Sequence, residues 1–323
     1  MPTITYREAI RQALRIELKE NPELILLGED IGAYGGSYSV TKGFLEEFGA
    51  ERVVDTPIVE SSLIGLSIGA AMAGMRPVVE LMTINFALKA IDQIINNAAK
   101  IRFMFGGQFS APLVIRAVSG WGQLGPTHSQ SFENYFAYAP GLMVVMPSSP
   151  NDAKGLLLTA MRGKDPVLFI EHALLYSTQG DVPEGKEGIP LGLSDIKRRG
   201  KDVSIVAYSR MVLLALQAAQ QLSKDGIEVE VVDLRCLRPM DLGLAVSSLK
   251  KTGRALVLSE DWPSCSIASE VAARLQNEAF DYLDAPIGLL VSKDVPVAYA
   301  RNLEAATLPN VSDIVGAVRA LLS

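Results

Sequence analysis

The chain has 323 residues, of which 49% are hydrophobic and 20% charged, and its formal net charge is -6. That length suffices for about two ordinary domains, each with a core of its own. The balance lies outside the compositions of disordered chains and of basic nucleic-acid binders, so a polyphosphate partner would need a local site.

The longest weakly polar run, Ser62 to Met75, is too short and too rich in Ser and Gly for a membrane span of about 20 apolar residues. The start, MPTITYREAI, has neither a signal-type apolar region nor an Arg-rich transit character, which predicts a soluble, non-exported chain. Two cysteines, Cys236 and Cys265, lie far apart without metal-site spacing, which suits a reducing compartment. His128 and His172 are the only histidines, so chemistry that needs imidazole must use one of them.

In chain order, Thr5 and Glu8 have capping-box spacing, and Ala9, Ile10, Ala13 and Leu14 follow at helical intervals, predicting a helix to about Asn21. Short apolar runs then alternate with longer helical stretches. Leu24–Leu27, Arg52–Asp55, Pro77–Leu81, Leu113–Arg116, Leu142–Met146 and Val167–Ile170 read as buried strands. A Gly-, Pro- and charge-rich stretch over 177–202 breaks the rhythm and reads as a linker, with room for a hairpin. Beyond it strands at Val203–Tyr208, Val229–Asp233, Ala255–Leu258 and Ile287–Leu290 alternate with helices at Met211–Leu222, Leu242–Lys250, Ile267–Leu275 and from Val311. The expected fold class is α/β with two doubly wound domains, over 1–176 and 203–323.

Two motifs resemble enzyme signatures without their context. Gly120-Trp121-Gly122-Gln123-Leu124-Gly125 matches a dinucleotide fingerprint, but Pro126-Thr127-His128-Ser129 stands where a helix should open, and no ribose-binding acid ends the next strand. Gly65-Leu66-Ser67-Ile68-Gly69 matches a nucleophile elbow, but it lies inside a helical run. Gly65, Gly69, Ala70, Ala73 and Gly74 read instead as a small-residue face for a helix or subunit contact.

Two other features are placed for chemistry. Asp55-Thr56-Pro57-Ile58-Val59-Glu60 sets a carboxylate just after a strand and at the start of a helix, where parallel sheets hold ligands. The bland alternative for Glu60 is an acid favoured by the helix dipole. His128 lies in a polar loop suited to carrying a reactive group, and the alternative is a surface histidine. His172, at a strand end, reads as structural.

Beyond single motifs, GEDIGAYGGSYSVTKGF, DTPIVE, GAAMAGMRPVVELMTINFALKAIDQIINNAAK, GPTHSQSFE, PGLMVV, DPVLFIEHALLY, EVVDLRCLRPMD and FDYLDAPI occur in one order from about Thr5 to the C-terminus. In this set the chain resembles the β subunits of the thiamine-diphosphate-dependent 2-oxo acid dehydrogenase first component, in its pyruvate dehydrogenase branch. The resemblance implies a pyrimidine-binding domain followed by a transketolase-type C-terminal domain. It implies that Glu60 hydrogen-bonds the aminopyrimidine ring nitrogen and favours the tautomer that activates the thiazolium carbon. Ile58, Met82 and Phe86 would surround the aminopyrimidine, with Phe86 stacked on it, and Tyr34 would also line the cofactor. His128 would assist acetyl transfer to the lipoyl group.

The same resemblance implies a structural potassium ion on main-chain oxygens near Leu113, Ala160, Met161, Gly163 and Asp165. The family's α chain carries Gly-Asp-Gly for magnesium and diphosphate. No Gly-Asp-Gly occurs here, so Mg²⁺ is expected on an α subunit in a heterotetramer of two α and two β chains. A dihydrolipoamide acyltransferase core would be the further partner, with nucleic acid and membrane excluded. Branched-chain 2-oxo acid and acetoin dehydrogenases share these motifs and remain the alternatives, because one methylene in a pocket changes binding by only about 1–3 kcal/mol. The implied location is the cytoplasm of a prokaryote, or an organellar matrix or stroma for a mature eukaryotic chain.

Overall fold

The computed structural model describes residues 1–120 and 122–323; Trp121, in the Gly-rich motif, lies outside the described residues. The strands are β1 (Thr3–Thr5), β2 (Leu24–Gly28), β3 (Val53–Asp55), β4 (Arg76–Leu81), β5 (Val114–Ser119), β6 (Met143–Val145), β7 (Val167–His172), β8 (Gln179–Asp181), β9 (Asp195–Arg198), β10 (Val203–Ala207), β11 (Val229–Asp233), β12 (Cys236–Arg238), β13 (Ala255–Leu258) and β14 (Gly288–Leu290). The α-helices are α1 (Tyr6–Glu20), α2 (Phe44–Phe48), α3 (Glu60–Met72), α4 (Ile101–Met104), α5 (Glu133–Ala137), α6 (Pro150–Arg162), α7 (Arg210–Leu222), α8 (Gly243–Thr252), α9 (Ile267–Glu278), α10 (Arg301–Thr307) and α11 (Val311–Leu322). None among the described residues is long and apolar enough to cross a membrane.

The chain forms two compact units, one of Met1–Ser119 with Tyr135–Leu191, the other of Gly120–Asn134 with Gly192–Ser323. In the first, six parallel strands run in the order β6-β7-β5-β4-β2-β3. Their apolar runs are buried on both faces, as a parallel sheet covered by helices requires. Helix α1 begins where Thr5 Oγ1 accepts a hydrogen bond from the Glu8 amide, and it packs on α6. Because β3 lies on one side of β2 and β4 returns to the other, the strand order reverses at β2 and β4. The carboxyl ends of such strands form a crevice.

The second unit has a sheet ordered β14-β13-β10-β11-β9, parallel except for the edge strand β9. Its core packs Val203, Ile205 and Val231 of the sheet against Met211, Ala215 and Leu222 of α7 and Ile314 and Val318 of α11.

Two boundaries differ from the linear division expected from composition. The stretch 177–202 holds no hairpin: β8 pairs antiparallel with β1, β9 pairs antiparallel with β11, and Ile189 donates to the Gly155 carbonyl. Its polar composition fits edge strands, which show one face to water. The segment Gly120–Asn134 joins the second unit, although it falls inside the range 1–176. Its anchors are remote in sequence: the Gln123 amide donates to Glu304 Oε1 at 2.7 Å, and Tyr208 Oη donates to Glu133 Oε1 at 3.0 Å.

Candidate functional site

In the first unit, the crevice opens where β2 ends in Gly28 and continues into Glu29, and where β4 ends in Leu81 and continues into Met82. Gly28 is required here, since a Cβ would stand 2.8 Å from the Glu80 carbonyl oxygen. The following loop is held by Thr41 Oγ1 donating to the Ile31 carbonyl at 2.6 Å and by Arg11 donating to the carbonyls of Val40 and Lys42 at 2.8 and 2.9 Å. At Gly36 the φ of +80° favours glycine, and a Cβ would meet Glu80 Oε1 at 2.8 Å. This anchored loop presents Tyr34, 71% exposed.

Glu60 is the first residue of α3 and is buried, 3% exposed. The dipole of α3 favours a negative charge at that end. Ile58, two residues earlier, is 68% exposed, while Met82 and Phe86 are half-buried. Phe86 sits on a 3₁₀ segment, Ile84–Ala90, that packs against α3. Thr83 caps that segment by accepting from the Asn85 amide, and the Phe86 amide donates to the Thr83 carbonyl at 3.1 Å. One helix start and one capped turn therefore carry the acid and its apolar neighbours.

Glu29 was not among the residues picked from the sequence. It is 4% exposed, and neither carboxylate oxygen has a hydrogen-bond partner. Burial raises its pKa, and the charges of Glu60 and Asp30 raise it further, with Lys89 opposing. Thr56 Oγ1, just after β3, is likewise buried without a partner. Buried polar groups normally find partners, so these three atoms mark a site built to receive a polar ligand. The available signal was an acid directly after a buried parallel strand, the same signal that marked Glu60.

Beside the crevice lies a buried ionic network. Glu80 and Arg116 are register partners on β4 and β5, and Arg116 Nη1 donates to Glu80 Oε2 at 2.6 Å. Its Nε and Nη2 hold both oxygens of Glu171 on β7 at 2.6 and 2.8 Å. Tyr176 Oη donates to Glu171 Oε2 at 2.5 Å, and the Tyr176 ring stacks on Tyr38 of the loop at 4.7 Å. The loop carrying Tyr34 is thus tied to the sheet.

In the second unit, His128 is exposed at the apex of its loop, with Nδ1 3.1 Å from Thr127 Oγ1. Gly125, at φ +78°, lets the chain pass Tyr299, 3.4 Å from where a Cβ would be. His172 is buried in the first unit and its Nδ1 accepts from the Leu174 amide at 3.1 Å, a capping role. Ser67 is also buried, donating to the Leu63 carbonyl at 2.8 Å within α3, so it is no exposed nucleophile. Gly65 and Gly69 lie exposed on α3, with Ala73 and Gly74 exposed just past its end, and a Cβ on Gly69 would meet nothing.

Glu133, at the end of the His128 loop, is 2% exposed and its Oε2 has no partner. Burial, together with the charge of Asp261, pushes its pKa up to about 8, while Asp261 is pushed up to about 6, mainly by burial. An acid whose folded pKa is raised stays protonated in the native state while the unfolded chain ionises. It stabilises fully below the unfolded value and loses that contribution as pH rises through the folded one. The Glu133 contribution to stability therefore declines as pH rises from about 5 to about 8.5. Glu133→Gln, which keeps the uncharged shape, should match the wild type at pH 5 and exceed its thermal midpoint at pH 8.5; equal midpoints at both would refute this.

Four of the five main-chain oxygens expected around potassium already accept hydrogen bonds from within the chain. Arg76 Nη1 donates to the carbonyls of Met161 and Gly163 at 3.0 and 2.8 Å. The Val167 amide donates to the Leu113 carbonyl and the Gly163 amide to the Ala160 carbonyl, while the Asp165 side-chain carboxylate pairs with Arg102.

The two units correspond to two domain families. The chain matches the family "Transketolase, pyrimidine binding domain" over residues 2–179 and "Transketolase, C-terminal domain" over 192–314. A solved structure described as "Split gene transketolase, inactive beta4 tetramer" superposes with a TM-score of 0.78 at 25% identity, covering 99% of this chain and 98% of that one. Fold and site thus define a chain of the transketolase class. Proteins called pyruvate dehydrogenase E1 component subunit beta share 48% identity in Rhizobium meliloti, over 99% of this chain and 70% of that protein, and 45% in Rickettsia bellii, over 98% of each. A mitochondrial form from Oryza sativa, subunit beta-2, shares 45% over 98% of this chain and 85% of its own. The chain belongs to the family of pyruvate dehydrogenase E1 component β subunits.

Proposed function

We propose that this chain is the β half of a two-chain enzyme that oxidatively decarboxylates pyruvate and passes the acetyl group to the lipoyl group of an acyltransferase core. The observation that carries the reading is the buried pair Glu60 and Glu29 at the sheet's switch point, with both Glu29 oxygens unpartnered and apolar side chains beside them. A polar, planar heterocycle edged by ring nitrogens suits that set.

When bound, thiamine diphosphate supplies a carbon nucleophile and an electron sink for decarboxylating a 2-oxo acid. Glu60 would hydrogen-bond the aminopyrimidine ring nitrogen and exchange a proton there. Burial and the charge of Glu60 both raise the Glu29 pKa, so Glu29 gives up its proton less readily than an ordinary carboxylate. Ile58, Met82 and Phe86 would orient the ring and exclude water, with Tyr34 on the loop after β2. His128, an imidazole on an anchored but exposed loop, handles the proton at acetyl transfer. Magnesium and the diphosphate belong to the α subunit, and the exposed small-residue face of α3 is a surface for subunit contact. The bacterial and mitochondrial relatives support a bacterial cytoplasm or an organellar matrix.

Turnover with pyruvate, thiamine diphosphate, Mg²⁺ and an artificial electron acceptor tests the reading. Activity should arise only when the chain is co-expressed with an α subunit from the same source. Activity from the chain alone would place the diphosphate site here and refute the division of labour.

A further inference from the structure

Arg76 opens β4, and its partly buried guanidinium lies against the end of α6. Both side-chain hydrogen bonds come from one nitrogen, Nη1, and go to the main-chain oxygens of Met161 and Gly163 at 3.0 and 2.8 Å. Among the described residues no carboxylate pairs with it. The last carbonyls of a helix lack intrahelical partners and carry partial negative charge, so they attract cations.

We infer that Arg76 is a built-in replacement for a bound monovalent cation at the C-terminal end of α6, which makes the stability of this chain independent of potassium. One nitrogen bridging two carbonyl oxygens does what a point cation ligated by main-chain oxygen does. Nearby carbonyls already have donors, Gly163 N to the Ala160 carbonyl at 3.2 Å and Val167 N to the Leu113 carbonyl at 2.9 Å, and the Asp165 side-chain carboxylate is taken by Arg102 at 2.5 Å. A guanidinium keeps its charge at any working pH. Being tethered to β4, it needs no free ion, whereas a dissociable cation would stabilise only in proportion to its concentration.

The test is the thermal midpoint of the full-length chain, purified with its α subunit, in KCl, NaCl and choline chloride at equal ionic strength. The wild type should melt within about 1 °C in all three salts. Arg76→Met, which keeps the stem and removes the charge, should melt roughly 3–6 °C lower in choline chloride and regain at least half of that loss in KCl. A wild-type midpoint that rises by several degrees in KCl alone would overturn the inference. So would a variant as stable as the wild type, or a loss equal in all three salts. If Arg76→Met does not fold, the wild-type salt comparison still decides, as does Arg76→Lys, which keeps a charge and should remain insensitive to potassium.

Discussion

Glu60→Gln lowers pyruvate-dependent reduction of an artificial acceptor by about 10²–10⁴-fold while the subunits still assemble, the range expected when a group that exchanges a proton with the reacting system is neutralised in place. Glutamine fills the same volume at the start of α3, so the helix and the segment carrying Phe86 keep their packing. It also removes the negative charge that helps to raise the Glu29 pKa. Glu29 should therefore titrate lower in the variant, by difference in proton uptake on unfolding. If the variant kept more than a tenth of wild-type turnover at saturating thiamine diphosphate, Glu60 would be no more than a helix-dipole acid. Elution of the variant and wild type at the same size separates lost chemistry from lost assembly.

Arg116→Met should destabilise the first unit by about 3–5 kcal/mol, because it leaves two buried carboxylates without their counter-charge. Glu80 and Glu171 are 9% and 0% exposed, and each accepts from Arg116 within 2.8 Å. Burial already pushes the Glu80 pKa upward, with Arg116 opposing, so losing the guanidinium forces protonation or unfolding. The thermal midpoint should fall by about 10 °C, and adding Glu171→Gln should recover part of the loss, since the two residues act as one network. A fall below about 2 °C would mean that water or a rearranged side chain replaces the arginine. Activity is expected to decline with stability, because Tyr176 ties the same network to Tyr38 and the loop carrying Tyr34.

Much of the architecture could be read from local pattern. The runs Leu24–Leu27, Val203–Tyr208 and Ala255–Leu258 form strands within a residue or two of their expected ends, because strands buried on both faces are uniformly apolar. Helix α1 starts at its predicted cap, and α11 starts at Val311, with Asn310 and Asp313 completing a capping box. Glu60 was legible for the same kind of reason, a carboxylate between a strand end and a helix start. The short elements were not. The edge strands β8 and β9 have little apolar signal and form because distant partners complete them.

What the sequence by itself determined is therefore the local part: two α/β units, the order of their strands and helices along the chain, and the candidacy of Glu60 and His128. Tertiary structure alone decided the rest. It placed Glu29 unpartnered beside the charge of Glu60, joined Glu80, Arg116 and Glu171 across three strands, set Arg76 on the end of α6, and gave the His128 loop to the second unit. Each of these is a pairing between residues far apart in sequence. A side chain's charge state and partners depend on what folding buries it against, which no local spacing records.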